Sequence, residues 1–300
     1  MQNDPALTQG PILVGIDFSH LSKSILDYAA KLALQELRPL HFVYVMPIVS
    51  DDSPDLLRIQ QMELEEYVNA ARQKLQGSGL KAYSTLVFGS PAHELIRLAD
   101  KLRAAFIVVG TEDLSGFERL ILGSVAEAVI RKSDRPVIVV GPQAAAMSKE
   151  TLPWKHLMLA YDTAAGVTEA ARLAGDIASG HHARLTIFTV KKESMADPAE
   201  GQFDALETIM CRDAWLSVKP QCLIREGDPA REIVRMVDDA HADLLVMSAR
   251  RGSELLTHLR PGLMARVLRM SRCPALILRD VPAPHRHHAA HTASHPTACV

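Results

Sequence analysis

The sequence predicts two α/β domains in tandem, each a parallel sheet wound on both faces by helices. Three observations carry this reading. Short apolar runs recur without polar alternation, as strands buried on both faces require. Between them lie stretches whose apolar residues return every three or four positions, the mark of amphipathic helices. The whole strand-and-helix order is also written twice.

The first apolar run, Pro11 to Ile16, is closed by the polar residues Asp17 and Ser19. Ser19 stands where it can cap a helix whose residues Leu21, Ile25, Ala29 and Leu32 share one face. A second run, Leu40 to Met46, is followed by a polar stretch and a helix on which Glu63, Glu65 and Glu66, with Gln60 and Arg72, mark a solvated face. Gly89-Ser90-Pro91 reads as a turn from strand into helix with proline at the helix start. Ala105 to Val109 and Arg135 to Val140 complete the set of strands.

The second copy begins at His156 to Thr163, 145 residues after its counterpart, and Arg184 to Val190 keeps that offset from Leu40 to Met46. From Gly227-Asp228-Pro229 onward the offset is 138, so the second copy is seven residues shorter in its middle. Asp243 to Met247 then aligns with Ala105 to Val109, and Cys273 to Leu278 with Arg135 to Val140. The expected boundaries are a first domain over 1–141, a Pro-interrupted small-residue linker over 142–152, a second domain over 153–280 and a tail over 281–300.

Composition narrows the function classes. A formal net charge of -2 gives no electrostatic case for nucleic acid or for an anionic membrane surface. No apolar stretch approaches the roughly 18 residues that span a bilayer, and the first ten residues lack a signal-peptide pattern, so the expected location is the cytoplasm. The four cysteines form no C-x-x-C pair and read as reduced thiols; Cys273 sits where the first copy has Arg135, a structural position. His181-His182 reads as a surface loop before a strand.

In doubly wound sheets, ligands bind beyond the carboxyl ends of the strands where the strand order reverses. The residues there are Asp17, Val45 and Gly110, with Asp162, Val190 and Ser248 as their second-copy counterparts. After Gly110 comes the spacing Gly110-x2-Asp113-x9-Gly123-Ser124. A glycine at a strand end admits close backbone approach, and Gly123-Ser124 opens a helix whose free N–H groups and dipole favour an anion. Asp17 has a second reading, as a residue that caps the helix or fixes its loop.

With its repeat and this motif, the chain resembles the universal stress protein family in its tandem, Rossmann-like form, over residues 11–141 and 153–280. The family's nucleotide-binding motif is G-x2-G-x9-G-[ST], and three of its four fixed positions match. The resemblance implies an adenine nucleotide, ATP with Mg, held in the first domain. Asp17 and the backbone at Val45 would meet ribose and adenine, and Gly110, Asp113, Gly123, Ser124 and Val125 would surround the phosphates. It also implies that the two domains pair through their last strands, Val137 to Val140 and Ala275 to Leu278, as an internal pseudo-dimer.

Asp113 departs from the motif, and a carboxylate near phosphates repels them unless a cation lies between. The second copy departs further: Ser248, Arg251 and Pro261-Gly262 replace the loop glycines and the Gly-Ser, with Arg250 and Arg260 nearby, which predicts that this copy has lost nucleotide. No G-x-S-x-G, H-E-x-x-H or G-x-x-x-x-G-K-[ST] motif is present, so a binding protein is expected rather than an enzyme, with slow hydrolysis left open. The alternative is a nucleotide-free module that binds a protein partner or a second copy of itself. His285, His287, His288, His291 and His295 crowd a tail rich in Ala, Pro and Thr, read as unstructured rather than as a metal site.

Overall fold

The computed structural model describes residues 10–46, 54–111, 122–147, 152–162, 168–191, 219–249, 256–257 and 260–279. In the first copy, β1 (Ile12–Ile16), β2 (Leu40–Met46), β3 (Ala82–Phe88), β4 (Phe106–Gly110) and β5 (Val137–Val140) alternate with α1 (His20–Glu36), α2 (Pro54–Lys74), α3 (Pro91–Lys101) and α4 (Ser124–Lys132). The second copy repeats β6 (His156–Ala160), α6 (Glu169–Gly180), β7 (Arg184–Lys191), β8 (Gln221–Glu226), α7 (Pro229–Asp239), β9 (Leu244–Ala249), α8 (Leu263–Met270) and β12 (Ala275–Arg279). A small hairpin of β10 (Leu256–Thr257) and β11 (Arg260–Pro261) precedes α8. The helix expected between β7 and β8 lies outside the described residues.

The strands form one ten-stranded sheet in the order β3-β2-β1-β4-β5-β12-β9-β6-β7-β8. Every neighbouring pair is parallel except β5 and β12, where the copies meet antiparallel. Both faces are covered, one by α1, α2 and α6 and the other by α3, α4, α7 and α8, which explains why the strands read as unbroken apolar runs. The predicted face of α1 is buried through Leu21, Ile25, Ala29 and Leu32. Proline starts α3 and α7, and Gly89 and Gly227 enter those turns at φ 142° and 143°, a region open to glycine.

The β5–β12 register places Ile138 opposite its own counterpart Leu276, while Val137 faces Ile277 and Val139 faces Ala275. Equivalent residues therefore exchange places across the seam, which is the contact pattern of a two-fold interface, here inside one chain. The seam is not chemically symmetric. At Gly141 a Cβ would stand 2.5 Å from the Leu268 carbonyl oxygen at the end of α8, so the backbones meet there. On the other side Arg279, the counterpart of Gly141, pairs with Asp134 and donates to the Lys132 carbonyl at the end of α4.

Two expectations change at this seam. The stretch read as a linker opens with helix α5 (Pro142–Met147), whose Ala144 and Ala145 are buried in the joint core. His181 is not a plain surface loop: its Nε2 lies 2.7 Å from Glu36 Oε1 and its ring meets Trp154 edge-on at 5.7 Å. The Trp154 ring also meets Phe106 of the first copy edge-on at 6.4 Å, and the Trp154 backbone N–H donates to Gln35 Oε1 at 3.0 Å.

At the start of the second copy, His156 is buried with Nε2 2.8 Å from Thr186 Oγ1 and Nδ1 2.9 Å from the Arg184 guanidinium. Nδ1 also lies 3.1 Å from the Ala240 carbonyl, so it accepts from Arg184 in one tautomer and donates to Ala240 in the other. Burial, aided by the Arg184 charge and opposed by Ala240 and Asp243, lowers its pKa. The unfolded chain takes up the proton near pH 6.5 and the folded chain only at lower pH, so this site's contribution is complete above about pH 6.5 and is lost on acidification below it. Urea midpoints at pH 7.5 and 5.5 are expected to fall less in His156→Gln than in the parent; an equal or larger fall would show that the imidazole is not the sensitive group.

Candidate functional site

The strand order reverses between β1 and β4, and a cavity of about 150 Å³ opens at their carboxyl ends. Asp17 and Ser19 line it from the loop after β1, Tyr44 and Val45 from the end of β2, and Gly110 and Thr111 from the end of β4. Gly123 and Val125 close it from the start of α4, with Pro91 and Leu95 from α3. Five residues expected at the site, Asp17, Val45, Gly110, Gly123 and Val125, thus converge. Ser124 is exposed and does not line the cavity, and Asp113 lies outside the described residues.

Asp17 organises its own loop. Its Oδ1 accepts from the Ser19 N–H at 3.0 Å and from Ser22 Oγ at 2.8 Å. Ser19 occupies the cap position of α1, but its hydroxyl makes no capping bond, so the expected serine cap is replaced by this aspartate turn. Partial burial raises the Asp17 pKa, yet the hydrogen bonds from Ser19 and Ser22 outweigh it and hold the carboxyl below its ordinary value. The group is therefore an anion at neutral pH, an acceptor for hydroxyls and not for phosphate.

Between them, Phe18 adopts φ 59°, a conformation that costs a bulky residue of order 1–2 kcal/mol. Its ring is held by Tyr44 at 4.4 Å and by Tyr67 of α2 at 5.7 Å. Burial raises the pKa of both tyrosines, so each keeps its phenol proton. The ring contacts hold Phe18 in place, while Ser19 and Ser22 hold the Asp17 carboxylate.

The demand at Gly110 differs from the one read in the sequence. A Cβ there would stand 2.6 Å from Ile25 Cδ1 and 2.8 Å from Leu21 Cδ2, so α1 lies directly on the strand end and glycine is set by packing. The next residue, Thr111, was not singled out in the sequence. It is 7% exposed, and its Oγ1 is buried without a hydrogen-bond partner among the described residues. A buried hydroxyl left unpaired costs about 1–3 kcal/mol, so it marks a place where a polar ligand atom fits. Gly123 at the cap of α4 has no side chain to accept from the first-turn N–H groups.

The corresponding end of the second copy is built differently. Ser248, at the Gly110 position, donates to Thr168 Oγ1 at 3.3 Å, and Thr168 caps α6 by accepting from the Ala171 N–H. Asp228 caps α7 and holds Arg266 through bonds of 2.7 and 3.2 Å. Arg260 and Pro261 form β11, which leads into α8. Arg250 and Arg251 lie outside the described residues, as does the His-rich tail. Cys273 is buried and its thiol is pushed up to about 12 by that burial, so it is no nucleophile. No helix among the described residues is long and apolar enough to cross a membrane.

Fold and crevice together define a tandem, doubly wound α/β protein with a crevice at the switch point of its first copy. The chain belongs to the universal stress protein family, whose sequence model matches residues 10–141 and again 153–279. A universal stress protein of Methanocaldococcus jannaschii, MJ0531, is 32% identical over 136 residues, covering 43% of this chain and 80% of its own. The crystal structure of a universal stress protein from Archaeoglobus fulgidus covers 90% of this chain and 96% of its own at 20% identity and a TM-score of 0.69, a likeness of fold. A further A. fulgidus universal stress protein was solved in complex with dAMP; it matches 43% of this chain and 96% of its own at 26% identity and a TM-score of 0.36.

Proposed function

We propose that the first copy binds an adenine nucleotide, ATP with Mg, in the crevice between β1, β2, β4 and α4, and that the second copy does not. The observation that carries this reading is the unpartnered Thr111 hydroxyl beside the open N-terminus of α4, in the cavity that also holds Asp17. The opening is lined both by donors at the start of α4 and by the anionic acceptor Asp17. That combination suits a ligand with phosphates at one end and a ribose hydroxyl at the other. In the second copy, the polar groups at the equivalent ends are engaged with one another, which favours loss of the ligand there.

Bound nucleotide then acts by linkage. It stabilises the closed arrangement of loop and helix without turnover, and so reports the nucleotide state of the cytoplasm in a stress response. The test is to denature the purified protein, assay the supernatant for nucleotide, and titrate the stripped protein with ATP and magnesium by calorimetry. One ATP per chain is expected, lost in Gly123→Val and retained in Arg251→Ala. In Asp113→Gly, affinity is expected to rise, because a carboxylate leaves the neighbourhood of the phosphates. No nucleotide and no heat at millimolar ATP would overturn the proposal and leave a scaffold of the same fold.

A further inference from the structure

The outward face of α2 breaks the pattern that a surface helix follows. Leu64, Val68 and Ala71 turn inward and are buried. The opposite face, where polar residues belong, carries Leu56, Ile59 and Met62 at intervals of three, with Ile59 52% and Met62 59% exposed. Phe88, 42% exposed, is a further exposed apolar residue on the edge strand β3. Ser84 Oγ bonds Glu65 of α2, and strand alternation puts Ser84, Leu86 and Phe88 on the α2 side, with Phe88 at the end of β3 where α2 begins. An edge strand and an apolar helix face presented together are features that proteins ordinarily cover.

The charges around the patch are mostly of one sign. Asp55 and Glu66 interleave with the apolar residues on the outward face and Glu63 flanks it, while Arg58 is the lone cation of the helix before Arg72. Further along, Arg72 and Lys74 are engaged with Glu65 and Asp27. A second copy of this chain would bring a second set of carboxylates against the first, and like charges placed across a contact repel. A partner whose apolar residues are flanked by lysine or arginine would meet complementary charge.

We propose that the first half of α2, with Phe88, is the docking surface for a basic amphipathic helix of a partner protein. Ile59 and Met62 are its apolar anchors, and Asp55, Glu63 and Glu66 are its charge-matching rim. The surface is connected to the crevice. Tyr67 of the same helix packs on Phe18 beside Asp17, and the charge of Glu63 faces Tyr44 and Tyr67. The docking surface does not depend on what fills the crevice, so it stands or falls apart from the nucleotide reading.

The test uses the full chain and two synthetic labelled helical peptides with the same leucine face, one flanked by lysines and the other by glutamates, followed by fluorescence anisotropy. The lysine peptide is expected to bind at least about tenfold more tightly than the glutamate peptide. Ile59→Lys with Met62→Lys, on an exposed face where folding is unaffected, is expected to weaken the lysine peptide by a further tenfold or more, while Leu37→Lys at the far end of α1 leaves it unchanged. Equal binding of the two peptides, or binding indifferent to the double substitution, would overturn the proposal. So would light scattering that shows a dimer abolished by Met62→Lys, since the occupant would then be a second copy.

Discussion

Trp154→Ala is expected to destabilise the whole chain by about 3–5 kcal/mol, the range for removing a fully buried tryptophan. Trp154 is 1% exposed and lies just before β6, yet its contacts belong to both copies: Phe106 and Gln35 on one side, His181 on the other. A cavity there has walls from two domains, so neither can close it by a local shift. Because the sheet runs continuously from β5 into β12, the loss is expected to appear as a lower midpoint of one cooperative urea transition. Tyr83→Ala on the exposed sheet edge serves as the control and is expected to change stability by less than about 1 kcal/mol. A Trp154 cost no greater than that of Tyr83 would mean that the copies hold together through the strand seam alone.

The fold was legible because its signals are local or periodic. Apolar runs marked β1, β2, β4 and β5, the 138-residue offset aligned the last strands, and the family resemblance pointed to the β5–β12 pairing that the structure contains. What escaped depends on residues far apart in the chain. Nothing near His181 announces that Glu36 will lie against it, and nothing near Trp154 announces Phe106. The same holds at the crevice. Asp17, Gly110 and Gly123 could be picked out as strand and helix ends, but Thr111 becomes notable only once its hydroxyl is buried without a partner. Ser19 illustrates the opposite error: a serine before a helix reads as its cap, and only the turn made by Asp17 shows the hydroxyl was not needed there.

Gly110→Val is expected to lower both stability and ligand binding. The added atoms would enter space held by Ile25 Cδ1 and Leu21 Cδ2, and both of those side chains also line the crevice. They are flexible ends rather than backbone, so the fold survives by pushing α1 outward, at a cost of about 1–3 kcal/mol. That movement carries the loop of Asp17, Ser19 and Ser22 with it, because Ser22 in the first turn of α1 holds the Asp17 carboxylate. On the proposed nucleotide reading, ATP affinity is expected to fall at least about tenfold, since a displacement near 1 Å is enough to break directed hydrogen bonds. Packing and binding separate in a double-mutant cycle built on the milder Gly110→Ala with Ile25→Val, which removes the atom nearest the new Cβ. If α1 lies on Gly110 as the structure places it, the pair is more stable than the sum of the single effects predicts. Strict additivity would mean that the glycine answers to some other demand, and the close approach of α1 would then not explain why this strand ends without a side chain.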